Sequence, residues 1–292
     1  MAKREARSLH GKISRIGQLI GNAFEKVVIA YIKDYLAKTH PDYEVLNPKE
    51  GKKLLTLEMS GGSLRQLDTV VTPKDSDDPV ALLEAKWLKD ARHWNDKGAW
   101  ILQLRQIKMK YSTVRGAAAV LAGYWKEGVG ILLQNEGGVK MLMVATDDEV
   151  YSTLQPHLNE HMKEVTFQLN AQQIRNKFPE EHVEEFYNFM SHLNQSGKLQ
   201  EVAQSWLNFD RQDEKKNTIK GSVLIERAID ELLSPLPDNP QIQRFEISLQ
   251  IDTGNIIHER LDDLEDLLDF IQRYSHNPAK ILERIKPKKK AK

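Results

Sequence analysis

The sequence predicts an α/β (α+β) protein in which a mixed central sheet is flanked by helices. Three features predict this class: an amphipathic helix near the N-terminus, short extended segments separated by glycine and proline, and a second helix followed by more apolar strands. The order helix, strands, helix, strands is typical of a sheet with helices on its faces. We expect a first domain over residues 1–150 and a mostly helical accessory region over residues 151–292.

Apolar residues at helical spacing predict the first helix over residues 17–36, before Pro41. Extended segments follow at residues 43–46, 54–59, 64–72 and 80–87. A polar loop that contains aspartate and proline joins the last two segments, so we expect them to pair antiparallel. A second helix is predicted over residues 94–115, with Trp100 among the apolar residues on one side.

Further strands are predicted after the second helix, at residues 117–124, 129–133 and 139–145. Helices are then predicted at residues 148–162, 171–177, 181–193 and 219–233. The chain closes with a strand over 244–251, a turn at 253–255, a second strand over 256–260 and an acidic amphipathic helix over 261–274. This order predicts a terminal strand-turn-helix unit.

Composition narrows the classes of function. The 42 Lys and Arg residues balance 42 Asp and Glu residues, so any surface for a polyanion must be local. Cysteine is absent, which excludes thiolate zinc sites and cysteine nucleophiles and fits a reducing compartment. We find neither an apolar run of about 18 residues nor a signal peptide, and we expect a cytoplasmic protein that does not enter a membrane.

Two carboxylates and one ammonium are the groups that most strongly indicate a catalytic function. Asp68 and Glu84 are separated by 15 residues, a spacing that suits neighbouring strands of a hairpin. Because strand side chains alternate, Glu84 and Lys86 share a face while Ala85 points to the opposite layer. Two oxygen ligands meeting across the ladder suit Mg²⁺, and Lys86 nearby can stabilise a phosphate or help to deprotonate water.

These residues resemble the PD-(D/E)XK nuclease superfamily over roughly residues 15–145. The resemblance implies a restriction-endonuclease-like core, hydrolysis of DNA phosphodiesters and Mg²⁺ as cofactor, with Mn²⁺ as a substitute. It implies Asp68, Glu84 and the Ala85 carbonyl as metal ligands, Lys86 as the catalytic lysine and Glu25 as an auxiliary acidic residue. A leucine stands where the family often has proline before Asp68, and the glutamine–tyrosine motif of RecB-like exonucleases is missing.

Other interpretations of the same residues stay open. Glu84 and Lys86 could form an ordinary ion pair at a strand end, and Glu25 could be a solvated helix residue. Glu58 could replace Asp68 if the strands pair differently. A histidine base is a minority interpretation for His93, since a lone histidine is commonly structural. The predicted DNA contacts are Arg92, His93, Lys97, Arg105 and Lys108.

The sequence therefore predicts a Mg²⁺-dependent endonuclease that cuts double-stranded DNA, with a type II restriction enzyme as the narrower expectation. A repair or recombination nuclease is the alternative among enzymes. A non-catalytic nucleic-acid-binding or assembly protein on the same fold is the alternative from another class. Cutting a palindrome requires a homodimer, and the terminal unit is expected to serve assembly rather than base recognition.

Overall fold

The computed structural model describes residues 2–46, 55–89, 94–126, 128, 130, 133–134, 137–161, 182–235, 245–250 and 256–275. The chain forms two compact units, Met1–Ser234 and Pro235–Lys292. In the described part of the chain no helix is long and apolar enough to cross a membrane.

The first unit contains nine of the described strands and six of the described helices. Its strands are β1 (Tyr43–Val45), β2 (Leu55–Glu58), β3 (Leu64–Leu67), β4 (Thr69–Pro73), β5 (Ala81–Leu88), β6 (Gly116–Gly123), β7 (Val139–Thr146), β8 (Asp210–Gln212) and β9 (Thr218–Lys220). Its helices are α1 (Ala2–Thr39), α2 (Trp94–Lys110), α3 (Asp147–His161), α4 (Val183–Gln195), α5 (Lys198–Ser205) and α6 (Gly221–Leu233).

A five-stranded sheet of order β1-β4-β5-β6-β7 forms the centre of this unit. Strands β1, β4 and β5 pair antiparallel, whereas β5, β6 and β7 pair parallel. The hairpin β2–β3 forms a separate two-stranded sheet. The prediction of a mixed sheet with helices is confirmed, including the antiparallel pairing of the segments on either side of the polar loop.

Strand β5 divides its side chains between two hydrophobic cores. Ala81, Leu83 and Ala85 pack into the core that contains the apolar residues of α1. Leu82 packs on the other face, in the core that contains Ile101, Leu104 and Ile107 of α2. Because alternate residues of a strand share a face, Glu84 and Lys86 lie on the side of Leu82. Strand β5 therefore places the charged side chains of Glu84 and Lys86 on the face of the sheet that packs against α2.

Helix α1 explains why the boundary between units lies after residue 234 rather than near residue 150. The helix has 38 residues, longer than the predicted span of 17–36. Its apolar residues share one core with the sheet and with α4, α5 and α6. The helices after residue 150 therefore complete the core of the sheet domain, and they belong to its compact unit.

The described elements differ locally from the predicted ones. The predicted strand 129–133 is helical at its described residues, Gly130 and Leu133. Helix α5 and the hairpin β8–β9 were not predicted because each is short and carries few apolar residues. Trp100, predicted on the apolar side of α2, is 51% exposed, while Ile101 beside it is fully buried. The predicted helix 171–177 lies outside the described residues.

The second unit contains a hairpin and one helix. Strands β10 (Phe245–Gln250) and β11 (Ile256–Leu261) pair antiparallel, and α7 (Leu264–Ser275) follows. The two predicted strands and the helix are thus present, whereas the predicted turn lies outside the described residues. Phe270 is buried, but the side chains of Leu264, Leu268 and Ile271 are exposed at helical spacing. Helix α7 therefore carries an exposed apolar stripe.

Candidate active site

Asp68 occupies the corner at which the chain leaves the hairpin β2–β3 and enters the central sheet. The register of β4 and β5 pairs Thr69 with Leu83, so the next position places Asp68 beside Glu84. The Ala85 backbone N–H donates to Asp68 Oδ2 at 3.0 Å. The Asp68 side chain thus accepts the hydrogen bond that a neighbouring strand would otherwise accept, and this bond fixes it against β5.

Glu84 is a carboxylate buried to 2% exposure, and two cations hold it. Arg65 Nη2 lies 2.8 Å from Glu84 Oε1, and Lys86 Nζ lies 2.6 Å from Glu84 Oε2. Burial raises the pKa of Glu84, and the negative charge of Asp68 raises it further, while the two cations lower it. Without those cations a buried carboxylate at this position would be strongly destabilising.

Lys86 joins the two carboxylates. Its ammonium contacts Glu84 Oε2 and also donates to Asp68 Oδ2. Burial favours the neutral amine, but the carboxylates of Glu84 and Asp68 outweigh it and raise the pKa of Lys86. Lys86 is therefore an ammonium here, suited to stabilise negative charge.

Arg65 is the member of the site that the sequence did not identify. It is 3% exposed, and besides Glu84 it donates to the Trp100 carbonyl and to Gln103 Oε1, the latter at 2.9 Å. Strand β3 alternates regularly, with Arg65 and Leu67 on its buried face, so hydrophobicity and not alternation would have favoured burial of Leu64, which is 71% exposed. The sequence did offer one indication of Arg65, because a buried glutamate needs a second cation in addition to Lys86.

Glu25 approaches the cluster from α1 and is half-buried. Burial, and next the negative charge of Asp68, raise the pKa of Glu25 from its ordinary value of 4.5 to about 7. A carboxyl group with that pKa can hold or release a proton near neutral pH.

All four predicted catalytic residues line one open cavity of about 480 Å³. Its polar walls are formed by Asn22, Glu25, Lys33, Gln66, Asp68, Glu84 and Lys86. Its apolar walls are formed by Ile29, Val45, Leu46, Leu55, Leu67 and Trp100. The structure therefore brings Glu25 from α1 together with Asp68, Glu84 and Lys86 from the sheet.

The predicted nucleic-acid contacts are only partly gathered around this cavity. Lys97 is exposed, and its Nζ lies 6.0 Å from the centroid of the Trp100 ring at the cavity wall. Arg105 and Lys108 lie further along α2 and do not line the cavity. Arg92 and His93 lie outside the described residues. Basic side chains of α2 thus lie along the helix from the cavity, at Lys97, toward its C-terminal end, at Lys108.

The donor set suits a hard divalent cation. Asp68 Oδ2 and Glu84 Oε2 both contact the Lys86 ammonium, so the two oxygens converge on one positive charge. Among the described residues no group of three or more His, Asp or Glu side chains has the arrangement of a metal site. Mg²⁺ commonly binds one or two carboxylates and keeps several waters, so two carboxylates with a backbone carbonyl fit it.

Glu58, the alternative to Asp68, belongs to a different environment. It ends β2 and forms an exposed pair with Lys110, with 3.4 Å between Lys110 Nζ and Glu58 Oε1. It does not line the cavity. Asp68 is therefore the carboxylate that accompanies Glu84.

A second cavity of about 600 Å³ lies among β7, the hairpin β8–β9 and α6. Its charged side chains are largely paired with one another, as in Arg227 with Asp213 at 2.7 Å and Lys140 with Glu231. Although this cavity is larger, it lacks the convergence of buried carboxylates that distinguishes the cavity at β5.

Comparison of this chain with protein families, curated proteins and solved structures found no match. Its function is therefore inferred from the residues and geometry of the site.

Replacement of Arg65 tests the ion pairs around Glu84. We expect Arg65→Leu to lower the free energy of unfolding by about 3 kcal/mol or more, because it removes one cation from a buried carboxylate. The double variant Arg65→Leu/Glu84→Gln should regain much of this stability, since it has no buried carboxylate to compensate. Urea unfolding of both variants measures the effect. A loss below about 1 kcal/mol in the single variant would contradict the assignment.

The raised pKa of Glu25 predicts a dependence of stability on pH. Between its unfolded pKa of 4.5 and its folded pKa of about 7, the folded protein holds the proton more tightly than the unfolded chain. The stability that Glu25 contributes is therefore fully present below pH 4.5 and is lost as the pH rises to about 7.

Urea midpoints of the wild type and Glu25→Gln, measured from pH 4 to 8 in a chelating buffer, test this dependence. We expect the wild type to lose stability relative to Glu25→Gln across that window and the difference to level off above it. Parallel curves would show that Glu25 titrates normally.

Proposed function

We propose that the protein is a Mg²⁺-dependent endonuclease that hydrolyses phosphodiester bonds of DNA. The observation that carries the proposal is the convergence of Asp68, Glu84 and Lys86 in one open cavity. Two carboxylates and an ammonium are the groups that a metal-assisted attack on phosphate requires. With these residues on a mixed sheet flanked by helices, a restriction-endonuclease-like core is part of the proposal.

Asp68 and Glu84 would hold the metal ion, together with the Ala85 carbonyl. The bound ion would supply Lewis-acid stabilisation of the phosphate and lower the pKa of a water molecule. Mn²⁺ should substitute, because it accepts the same oxygen ligands. Once a divalent cation compensates Asp68 and Glu84, the Lys86 ammonium can donate to a phosphate oxygen and stabilise the charge of the transition state.

Glu25 would assist from α1. Its half-buried carboxyl group shares the cavity with the other three residues, and its pKa of about 7 allows it to take up or release a proton at neutral pH. Glu25 is therefore proposed as an auxiliary acidic residue rather than a ligand on which the ion depends.

Double-stranded DNA is the proposed substrate, held mainly through its phosphates. Support comes from the basic residues of α2, of which Lys97 lies beside the cavity and Lys108 is exposed further along the helix. Such contacts give affinity and register but little sequence selectivity. The narrower proposal is a restriction enzyme, and the alternative role is repair or recombination. A cytoplasmic location is proposed for both roles.

A homodimer is proposed because cutting both strands of a palindrome requires two sites. The exposed stripe Leu264, Leu268 and Ile271 on α7 is compatible with assembly, since large apolar side chains grouped on a surface often mark protein contacts. The acidic residues of the same helix would repel a phosphate backbone. The terminal unit is therefore proposed to serve assembly.

Replacement of the site residues tests the proposal. In the presence of Mg²⁺ we expect the wild type to cleave plasmid DNA, and we expect a chelator to stop it. Glu84→Ala and Lys86→Ala should each lower the cleavage rate by about 100-fold or more, because they remove metal binding or charge stabilisation. DNA binding should survive, since affinity depends mainly on phosphate contacts elsewhere.

Glu58→Gln serves as the matched control, because Glu58 is an acidic strand residue outside the cavity. It should cleave like the wild type. Mg²⁺-dependent cleavage that persists in Glu84→Ala and Lys86→Ala would refute the site. Mobility shift without cleavage in the wild type would instead favour the non-catalytic binding protein.

A further inference from the structure

Trp100 is an exposed aromatic side chain at the wall of the cavity that contains Glu84 and Lys86. It is 51% exposed, whereas Ile101, the next residue of α2, is fully buried. The helix therefore holds its apolar face in the core and presents the indole ring to the cavity.

The position of Trp100 is tied directly to the site. Its backbone carbonyl accepts a hydrogen bond from Arg65, whose other terminal nitrogen lies 2.8 Å from Glu84 Oε1. A single buried side chain thus connects the main chain beneath the indole to the carboxylate. The main chain that carries the ring is consequently held at a fixed place relative to Glu84, as a recognition element requires.

The surroundings of the ring suit a flat ligand that carries negative charge. Arg65 Cζ lies 5.6 Å and Lys97 Nζ lies 6.0 Å from the ring centroid, distances at which cations interact with an aromatic ring. Leu46, Leu55 and Leu67 supply apolar walls in the same cavity. An aromatic surface with apolar walls and cations nearby matches a nucleobase joined to its phosphate.

We propose that Trp100 stacks on an unpaired nucleobase adjacent to the phosphate held at Glu84 and Lys86. The bases of an intact duplex are stacked on one another, so a tryptophan can reach a base face only at an end, an overhang, a flap or a displaced nucleotide. The double-stranded substrate of the proposed function would therefore present a terminal, unpaired or displaced base at the site. This inference rests on the proposed function and narrows its substrate class.

Oligonucleotide binding in chelating buffer tests the stack without cleavage. The probes are a fluorescein-labelled single-stranded oligonucleotide and a relaxed, covalently closed duplex circle that contains the same sequence and has neither ends nor unpaired loops. Loss of one base–aromatic stack should weaken binding of the single strand to Trp100→Ala by about 5- to 100-fold. Binding of the closed duplex should change little, and Trp100→Phe should restore most of the affinity for the single strand.

Met109→Ala is the matched control, because Met109 is an exposed apolar residue of the same helix, 65% exposed, that does not line the cavity. It should bind both probes like the wild type. Since the Trp100 side chain is half exposed, Trp100→Ala should lower the free energy of unfolding by no more than about 1 kcal/mol. An equal loss of affinity for both probes, or no loss for either, would overturn the stack. A change in oligomeric state with unchanged DNA binding would also overturn it and assign the ring to a protein contact.

The binding assay also separates this inference from the proposed hydrolysis. If the wild type cleaves DNA but Trp100→Ala binds the single strand normally, the stack is overturned and the hydrolysis stands. If no DNA is cleaved but the selective loss is observed, the stack is supported and the hydrolysis fails.

Discussion

The compensation of Glu84 is the interaction on which the site depends. A carboxylate at 2% exposure requires partners for both oxygens, and Arg65 and Lys86 provide one each. Lys86 also contacts Asp68, so four charged side chains form one connected cluster. Such a cluster costs solvation energy that an apolar core would not, and clusters of this kind are common at functional sites.

The need to compensate Glu84 also determines how the elements around the site contact one another. The corner between β3 and β4 presents Asp68 to the Ala85 N–H, and Arg65, three residues earlier, reaches Glu84 from the separate hairpin. Arg65 also donates to Gln103 and to the main chain of Trp100, so α2 is fixed to the same carboxylate. Helix α1 adds Glu25 from another direction. The hairpin, the sheet and two helices therefore meet around one buried negative charge.

The pairing of β4 with β5 was predictable from the sequence. The apolar run that ends at Glu84 is typical of a buried strand, and the polar loop that precedes this run is typical of a hairpin connection. The placement of Asp68 beside Glu84 and Lys86 followed from the hairpin spacing together with strand alternation. Arg65 was not predicted, because a charged side chain favours exposure and the apolar Leu64 favours burial. Only the tertiary pairing with Glu84 accounts for Arg65 on the buried face that it shares with Leu67. The exposure of Trp100 and the shared core of α1 with α4 and α5 likewise depend on contacts between residues far apart in sequence.

Binding of Mn²⁺ by the purified protein tests the central claim most directly, because the cluster is proposed to hold a divalent ion through Asp68 and Glu84. The sharp electron paramagnetic resonance signal of free Mn²⁺ is lost on binding, so titration reports occupancy without DNA or turnover. The account predicts saturable binding by the wild type and by Glu58→Gln, and weaker binding by Asp68→Asn, by about 10- to 100-fold. Equal binding by the wild type and Asp68→Asn would contradict it.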